Sequence, residues 1–412
     1  MSHPLRILSA APGDERTVLV ALAAALDGTG PPIAPLRPST QGPSALEARH
    51  DHVPGDVVLA VTTSGSTASP RTVLLTRGAL EASAAAAARR LGGTAARRDS
   101  AQRLDSTAQW LLALPVHHIA GLQVLTRSAL AGTEPVILDL TDGFTGEAFA
   151  AATARLTGQR RYTSLVPTQL RRILASPAGT EALASFDAVL VGGAATDPGQ
   201  VRAAGAAGAT LVRTYGMTET SGGCVYDGLP LDGVTVELDE DGRILLAGPV
   251  LAAGYLADPE LTNRTFVTRA GVRWLRTDDL GTFDDDDALR VLGRVDDVIN
   301  TGGVKVAPTA VEAALSELEA VAQACVVGVP DPEWGAAVVA VVVLAHGASA
   351  SDLPLDAVRE HVALSLGAPA APRRIVVVRE LPELGPGKLD RRAVRRIAAA
   401  AVSDPATGTL RR

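Results

Sequence analysis

The sequence of 412 residues contains only two cysteines, Cys224 and Cys325, and they lie far apart in the chain. Two distant cysteines exclude a disulfide framework and a cysteine-based zinc cluster. Aromatic residues make up only 3%, so rows of stacking side chains for single-stranded nucleic acid are not expected. The formal net charge of −7 provides no basic excess for a nucleic-acid backbone. We therefore expect neither a secreted disulfide-rich protein nor a nucleic-acid-binding protein.

Long hydrophobic runs are also missing. The longest, Ala336–Ala345, is about half of what a membrane span needs. Charges at Asp14, Glu15 and Arg16 interrupt the N-terminal region, which shows no apolar core of a secretion signal. Hydrophobic residues make up 47% and charged residues 20%, as in folded globular proteins. We expect a soluble cytoplasmic protein with an aliphatic core and, at about 150 residues per domain, two or three domains.

Lysine is scarce too, because arginine occupies every basic position except Lys305 and Lys388. Such a bias makes each remaining lysine a candidate for a specific role, although chance survival is the alternative. Met217 is the only methionine after the initiator and raises the same question. A packing role, beside a bound ligand, is the simpler interpretation for Met217.

The order of apolar runs predicts the domain organisation. Gly28–Pro43 is rich in Gly and Pro and predicts a loop. From Val57 to Arg213 short apolar runs alternate with helical stretches, which predicts βαβ units and a mainly parallel sheet. Short strands predict a β-rich subdomain near 224–292, and the pattern after Gly293 predicts a small α+β unit. We predict an α/β fold with domains at 1–293 and 297–412, joined at 294–297.

One loop between two apolar runs has the composition of a phosphate-binding loop. Small hydroxyl side chains and backbone N–H groups can surround phosphate oxygens, and an arginine can add a bidentate charge. The spacing is not that of a Walker loop, and an ordinary Ser/Thr-rich turn is the alternative. The segment reads Thr63, Ser64, Gly65, Ser66, Thr67, Ala68, Ser69, Pro70 and Arg71.

A second segment follows a predicted strand, where ligands of parallel sheets bind. Its aromatic, glycine, hydroxyl and carboxylate residues suit a base and a Mg²⁺ ion, and a simple strand–loop junction is the alternative. The segment reads Tyr215, Gly216, Met217, Thr218, Glu219 and Thr220. Four further segments contain candidate functional residues. They are Arg276–Gly281 with Asp279, Gly293–Ile299 with Arg294 and Asp296, Thr301–Lys305 with Gly302 and Gly303, and Pro382–Arg391 with Lys388.

These segments occur together and in one order, and the chain thereby resembles the adenylate-forming superfamily of acyl- and aryl-CoA ligases, adenylation domains and luciferases. The resemblance covers about residues 57–400. Within the superfamily the chain is most similar to the short actinobacterial o-succinylbenzoate–CoA ligases, which share a Leu-Pro-x-x-His-Ile-x-Gly segment with Leu114–Gly121 and lack about a hundred residues ahead of the phosphate loop. The loop departs from the family pattern at Ala68-Ser69, where Gly is usual first, and at Arg71, where Lys is usual.

The resemblance implies a two-step reaction with ATP, Mg²⁺, CoA and a small carboxylic acid. It also implies a place in menaquinone synthesis. It implies a mobile C-terminal domain and allows a homodimer. The resemblance implies catalysis by Lys388, His118, Glu219 and Arg71, with Mg²⁺ bound at Glu219 and a hinge at Asp296. CoA would lie along Gly302 and Gly303, and the acid would contact His118, Gln123, Arg127, Val166 and Thr168. The implied nucleotide-binding residues are Thr63, Ser64, Gly65, Ser66, Thr67, Gly192, Gly193, Ala194, Tyr215, Gly216, Met217, Thr218, Asp279 and Arg294.

Several alternatives stay open at this point. The acid could be another aryl or short-chain acid, the acceptor could be the thiol of a separate carrier protein, or the chain could bind nucleotide without turnover. His117 and His118 could cap a helix or pack in the core. Asp284–Asp287 is predicted to be a solvated turn and not a metal site, and the role of Lys305 is undecided.

Overall fold

A computed structural model describes residues 2–38, 52–63, 71–92, 104–385 and 388–403, without the side chains of 384, 385, 388 and 403. Its helices are α1 (Glu15–Asp27), α2 (Arg77–Leu91), α3 (Ile119–Ala131), α4 (Gly146–Thr153), α5 (Pro167–Leu174), α6 (Pro177–Leu183), α7 (Pro198–Ala206), α8 (Pro259–Thr265), α9 (Pro308–Leu315), α10 (Leu355–Leu366) and α11 (Arg391–Ser403). Short 3₁₀ turns lie at Thr218–Thr220, Val295–Asp297, Ala350–Asp352 and Ala368–Ala370. No helix in this described part combines the length and apolarity needed to cross a membrane.

The strands are β1 (Ser2–Pro4), β2 (Arg6–Ser9), β3 (Ile33–Leu36), β4 (His52–Pro54), β5 (Val57–Thr63), β6 (Arg71–Thr76), β7 (Ala108–Leu112), β8 (Val136–Ile137), β9 (Arg160–Leu165), β10 (Ala188–Val191), β11 (Leu211–Met217), β12 (Gly222–Tyr226), β13 (Leu229–Pro230), β14 (Thr235–Leu238), β15 (Arg243–Ala247), β16 (Gly254–Tyr255), β17 (Phe266–Arg269), β18 (Val272–Phe283), β19 (Leu289–Arg294), β20 (Ile299–Thr301), β21 (Val304–Val306), β22 (Val321–Asp331), β23 (Gly335–Leu344), β24 (Arg374–Val378), β25 (Glu383–Gly385) and β26 (Lys388–Leu389).

The chain divides into two compact units. The first unit comprises Met1–Gly193, Ala203–Glu237 and Leu245–Thr277. The second comprises Ala194–Arg202, Leu238–Ile244 and Asp278–Arg412. Strand β18 passes from the first unit into the second between Thr277 and Asp278. The domain boundary at 294–297 stays a prediction.

A seven-stranded sheet and a five-stranded sheet of the described residues lie wholly within the first unit. One has the order β13-β12-β11-β10-β9-β7-β8, and its pairs from β8 to β11 are parallel. The other has the order β16-β6-β5-β3-β2. The strands of the first sheet are short and apolar, and helices α4, α5 and α6 cover one face with buried side chains such as Phe149, Leu170 and Leu183. The predicted α/β class with a mainly parallel sheet is confirmed.

Two details of the first unit differ from the sequence prediction. Ile33–Leu36 lies inside the predicted loop Gly28–Pro43, yet it forms a buried strand that pairs in parallel with Arg6–Ser9. The partner strand supplies the backbone hydrogen bonds, which the local Gly and Pro content does not reveal. The strand predicted to end at Arg213 continues to Met217, because the antiparallel strand β12 pairs with its second half.

The second unit is built on a three-stranded sheet in which alternate residues face opposite sides, as the strand repeat requires. On β22 and β23, Val326, Val338, Ala340 and Val342 pack with α9 and α10, whereas Cys325, Val327, Val339 and Val341 pack with Val394 and Ala398 of α11. Both cysteines of the chain, Cys224 and Cys325, are fully buried. Burial raises the pKa of each thiol to about 12. The small α+β unit predicted after Gly293 therefore has a core on both faces of its sheet.

Candidate active site

The predicted phosphate loop joins the two antiparallel strands β5 and β6. Thr63 stands opposite Arg71 in this hairpin, and the Thr63 hydroxyl donates to the Arg71 carbonyl oxygen at 3.3 Å. Both side chains are half-buried. The predicted loop residues Ser64, Gly65, Ser66 and Thr67 lie outside the described residues. The hairpin thus places the two ends of the predicted loop, with their hydroxyl and guanidinium groups, side by side.

Glu219 lies next to this hairpin. The short strand β16 pairs with β6, which sets Tyr255 opposite Val73. The buried Tyr255 hydroxyl then donates to Glu219 Oε1 at 2.8 Å, and the Ala252 N–H donates to the Glu219 carbonyl oxygen at 2.9 Å. Burial and the Glu219 carboxylate raise the pKa of Tyr255, so its hydroxyl keeps the proton that it donates. Glu219 is therefore held in place from both its side chain and its backbone.

The surroundings of Glu219 fit a Mg²⁺ ion that is shared with a nucleotide. The carboxylate is half-buried, and Tyr255 holds it through one of its two oxygens. Among the described residues, no group of three or more His, Cys, Asp or Glu side chains could hold a metal ion. Mg²⁺ commonly takes one or two protein carboxylates and completes its shell with phosphate oxygens and water. A single oriented carboxylate beside the hairpin that holds the two described ends of the predicted phosphate loop matches that preference.

Several of the predicted nucleotide-binding residues of the first unit lie at or beside the carboxyl ends of neighbouring parallel strand pairs. Gly192 follows β10, and a Cβ there would clash with the Thr214 side chain on β11, next to Tyr215. Gly193 has φ +83°, a left-handed conformation that favours glycine, and a Cβ there would lie 3.5 Å from Val166 Cγ1 after β9. The structure thus brings Val166, Gly192, Gly193 and Tyr215 together at one sheet edge.

The remaining residues of this motif have their own places. Gly216 is in β11, where a Cβ would clash with the Gly222 carbonyl oxygen of β12. The Met217 N–H donates to Thr220 Oγ1 at 2.9 Å, and Thr218 is buried at the start of the 3₁₀ turn. Thr168 is half-buried in the first turn of α5. Ala194 is exposed and opens the next stretch of chain, which belongs to the second unit.

His118 is the N-cap residue of α3, is exposed, and has its ring centroid 4.2 Å from that of His117. His117 is half-buried, and its Nδ1 has no hydrogen-bond partner among the described residues. Burial, with smaller contributions from His118 and Arg37, lowers the pKa of His117 to about 4. His117 is therefore neutral near pH 7, and His118 is the imidazole that solvent and ligands can reach.

Two of the buried polar side chains of α3, Gln123 and Arg127, lie one helical turn apart. Gln123 is 2% exposed; its Nε2 donates to the Ser221 carbonyl oxygen, while its Oε1 has no partner among the described residues. A Cβ on Gly222 would lie 3.1 Å from Gln123 Cγ, so this glutamine packs against the start of β12, just after the segment Tyr215–Thr220. The structure thus connects the predicted acid-binding helix with the predicted nucleotide motif.

Arg127 is the second of these side chains and is only 6% exposed. Its Nη2 donates to the Tyr226 hydroxyl at 3.3 Å, and its guanidinium carbon lies 4.8 Å from the ring centroid of Trp110. Its Nε has no partner, and no carboxylate forms an ion pair with it among the residues that the structure describes. A buried cation without an anion is costly, so this position suits an anionic group from a ligand.

The second unit holds the remaining predicted residues. Asp279 and Arg294 face each other across β18 and β19, with Arg294 Nη1 3.4 Å from Asp279 Oδ1. The predicted hinge residue Asp296 is exposed in the turn Val295–Asp297. Gly302 and Gly303 form the turn between β20 and β21, both with positive φ. A Cβ on Gly302 would lie 2.6 Å from the Trp334 ring.

Lys388 begins β26, which pairs with β25 through Gly385. The backbone of Lys388 is described, but its side chain lies outside the described part of the structure.

The sequence interpretation missed Tyr255, whose hydroxyl donates a hydrogen bond to Glu219. It is one of only four tyrosines, and that rarity was the available signal.

The comparisons with known proteins agree with this arrangement of motifs. Residues 9–256 match the family described as AMP-binding enzyme, and residues 310–388 match the AMP-binding enzyme C-terminal domain. The chain belongs to the AMP-binding enzyme family, and the predicted resemblance to adenylate-forming enzymes is confirmed.

Among its relatives, a probable 2-succinylbenzoate–CoA ligase of Mycobacterium tuberculosis is 46% identical over 389 residues, which cover 93% of this chain and 96% of that protein. A 2-succinylbenzoate–CoA ligase of Listeria monocytogenes is 31% identical over 81% of this chain and 68% of its own length.

Two solved structures have the same fold. The amide bond synthetase McbA of Marinactinospora thermotolerans has a TM-score of 0.73 and 28% identity, covering 95% of this chain and 79% of that one. The o-succinylbenzoate CoA synthetase of Bacillus subtilis, solved with the acyl-adenylate OSB-AMP, has a TM-score of 0.71 and 23% identity, covering 95% of this chain and 87% of that one. At 23% identity the latter likeness concerns the fold alone.

Proposed function

We propose that this protein is an ATP-dependent carboxylate–CoA ligase that acts through an acyl-adenylate, and that its acid is o-succinylbenzoate. Family membership and the 46% identical mycobacterial relative support the reaction type. CoA as acceptor, Mg²⁺, a place in menaquinone synthesis and a cytoplasmic location are parts of this proposal, and a homodimer is kept as a hypothesis for its assembly.

The observation that carries the choice of acid is the buried cation of Arg127. o-Succinylbenzoate has two carboxylates, one on the succinyl arm and one on the ring. The arm carboxylate is activated, so the ring carboxylate enters the pocket as an anion. Arg127 is buried on the same helix as Gln123, and its only partners among the described residues are a tyrosine hydroxyl and an aromatic face. A ring carboxylate would neutralise this charge, and a mono-acid would leave it unpaired.

In the first half-reaction, the substrate carboxylate attacks the α-phosphorus of ATP and pyrophosphate leaves. Two anions must approach each other, so the reaction depends on positioning and charge neutralisation. We assign Lys388 to the space between them, and Arg71 with Thr63 to the β- and γ-phosphates. Mg²⁺, held by Glu219, would supply further neutralisation of phosphate charge. Tyr255 orients the Glu219 carboxylate for this purpose.

In the second half-reaction, the CoA thiolate attacks the acyl carbonyl carbon and AMP leaves. We assign the adenine to the sheet edge formed by Gly192, Gly193 and Tyr215, and the ribose to Asp279 and Arg294. Gly302 and Gly303 would line the path of the pantetheine arm. Glycine at both positions lets the backbone approach a ligand closely. His118 would form a wall of the acid pocket at the start of α3.

The proposal is tested by measuring pyrophosphate and AMP release with a panel of acids. The panel contains o-succinylbenzoate, its analogue 4-oxo-4-phenylbutanoate without the ring carboxylate, benzoate, salicylate and a medium-chain fatty acid. We expect CoA-dependent AMP release with strong preference for o-succinylbenzoate. Preference for another acid would overturn the substrate. Adenylation without CoA transfer would point to a carrier-protein acceptor, and no pyrophosphate release with any acid would point to a binding protein without turnover.

The role of Arg127 is tested by the same two related acids. In Arg127→Met, kcat/KM for o-succinylbenzoate should fall roughly 30-fold or more, the effect of removing one partner of a buried charge pair. The kcat/KM for the analogue without the ring carboxylate should change little, so the preference of the enzyme for o-succinylbenzoate over this analogue disappears. Arg127→Lys keeps a charge and should retain part of the preference. An equal loss with both acids would indicate a packing defect and contradict the assignment.

A further inference from the structure

Arg391 is the first residue of α11 and lies three positions after Lys388. Its guanidinium forms a bidentate ion pair with Glu312 of α9: Nη1 is 2.8 Å from Oε1, and Nη2 is 2.9 Å from Oε2. Two parallel N–H···O bonds fix orientation as well as distance. Arg391 and Glu312 are both largely buried, with side-chain exposures of 21% and 15%.

Two further contacts make this a closed network. Arg391 Nε is 3.5 Å from Asp297 Oδ2, and Nη1 donates to the Val326 carbonyl oxygen at 3.0 Å. The Val326 N–H in turn donates to Glu312 Oε1 at 2.7 Å. One cation is thus shared by two carboxylates and by β22, an edge strand of the three-stranded sheet. The carboxylates keep the guanidinium charged although it is buried.

The position of this network in the chain gives it significance. Asp297 ends the 3₁₀ turn that contains the predicted hinge residue Asp296. On the other side, the Asp390 N–H donates to the Pro382 carbonyl oxygen at 2.8 Å, and Lys388 pairs with Gly385. The short hairpin that carries Lys388 therefore continues directly into the residue whose side chain contacts the hinge turn.

We propose that Arg391 is a positioning residue: through Glu312 and Asp297 it fixes the strand that carries Lys388 relative to the hinge turn. This inference rests on the proposed function, in which Lys388 acts in adenylate formation. A loosened Lys388 strand impairs the step in which Lys388 must lie between two anions. The attack of CoA on an adenylate that is already formed does not need that placement.

The half-reactions separate positioning from folding. Adenylate formation is measured as acid-dependent exchange of pyrophosphate into ATP, and thioester formation as CoA-dependent AMP release from supplied acyl-adenylate. Arg391→Lys keeps the charge but loses the bidentate geometry. We expect adenylate formation to fall roughly tenfold to a hundredfold, the range for a misplacement of about 1 Å, with thioester formation within about twofold of wild type. Lys388→Ala provides the benchmark for this split.

Further variants exclude a general defect. Glu312→Gln breaks the same ion pair from the other side and should show the same split. Asp297→Asn keeps the ion pair of Arg391 with Glu312 and should show a smaller difference between the two half-reactions. Arg395→Ala, an exposed arginine on the same helix, should leave both half-reactions unchanged. Urea midpoints show which variants are folded.

Two results would contradict the inference: equal losses in both half-reactions of folded Arg391→Lys and Glu312→Gln, or no loss in either. Failure of the proposed function can be distinguished from failure of this inference, because it is seen in the wild-type protein as well as in the variants. A wild-type protein that forms no adenylate, or transfers it to no CoA, overturns the function before any variant is compared.

Discussion

His117 and His118 are neighbours in the chain, but their imidazoles lie in different surroundings. His118 is exposed at the start of α3, whereas His117 is half-buried and has a pKa of about 4. An unfolded chain restores the ordinary value of 6.5. The unfolded state therefore binds this proton first as the pH falls. The stability that neutral His117 contributes is complete above about pH 6.5 and is lost as the pH falls towards 4.

We predict that His117→Asn makes the protein less sensitive to acid. Urea midpoints of the wild type and the variant should be compared at about pH 7 and about pH 4.5. The wild-type midpoint should fall more between the two conditions, because only the wild type gains the His117 proton on unfolding. His346→Asn, at an exposed histidine far from His117 in the sequence, is the control, and its midpoint should fall as that of the wild type does. Equal falls in the wild type and His117→Asn would contradict the assigned pKa.

At the residue scale, sequence motifs single out candidate residues but do not specify their contacts. Glu219, Asp279 and Arg294 were predicted from motifs, and the structure places Asp279 opposite Arg294 as a cross-strand pair. Tyr255 was not predicted, because its hydrogen bond to Glu219 joins residues 36 positions apart. The bidentate pair of Arg391 and Glu312 joins residues 79 positions apart. Such pairs depend on which elements become neighbours, and local patterns do not specify that.

The hairpin of β11 and β12 shows how one element determines the shape of the site. Gly216 in β11 allows the backbone of β12 to approach closely: a Cβ there would clash with the Gly222 carbonyl oxygen and lie 2.7 Å from the Gly223 Cα. Backbone atoms cannot move aside as the end of a flexible side chain can. The residues that follow, from Met217 to Thr220, depend on this hairpin for their position.

We predict that Gly216→Ala lowers the free energy of unfolding by about 1–3 kcal/mol, a typical cost of overpacking, and reduces adenylate formation. Gly78→Ala in α2 is the matched control, since nothing lies within 4 Å of its added Cβ. The control should be as stable as the wild type or slightly more so, because alanine favours helix. Urea unfolding and pyrophosphate exchange measure the two effects. Equal stability of both variants would contradict the close approach.

At the element scale, periodic apolar patterns predicted those helices and strands whose packing partners lie nearby in the sequence. The predicted alternation of apolar runs and helical stretches from Val57 to Arg213 is observed, for example in strand Val57–Thr63 and helix Ile119–Ala131. Ile33–Leu36 was missed because its stability comes from strands β2 and β5 on either side. The second half of β11 was missed because strand β12 has to return before Tyr215–Met217 can pair.

For the whole molecule, we propose that the chain reorients its C-terminal part at Asp296 between the two half-reactions. Asp296 is exposed in a 3₁₀ turn next to Asp297, whose carboxylate contacts Arg391. Only a few backbone dihedral angles need to change at such an element end. The family motifs predicted this segment from the sequence.

We predict that Asp296→Pro retains one half-reaction and strongly lowers the other. Proline fixes φ near the value of a 3₁₀ turn, so the turn can persist while other conformations are excluded. Overall CoA-thioester formation should fall, and the separate half-reaction assays show which step survives. Asp296→Ala removes the same carboxylate but leaves φ free, and it should retain both steps. Unchanged overall turnover in Asp296→Pro would contradict a hinge at this position.

The burial of Cys224 and Cys325 has a practical consequence. Both thiols are inaccessible and have a raised pKa, so thiol reagents such as maleimides have no reactive partner in the folded native chain. A cysteine introduced at an exposed residue, such as Arg395 in the second unit or Glu81 in the first, would be labelled selectively. A pair of spectroscopic probes attached at these two points could follow the distance between them during turnover, without removal of the native cysteines.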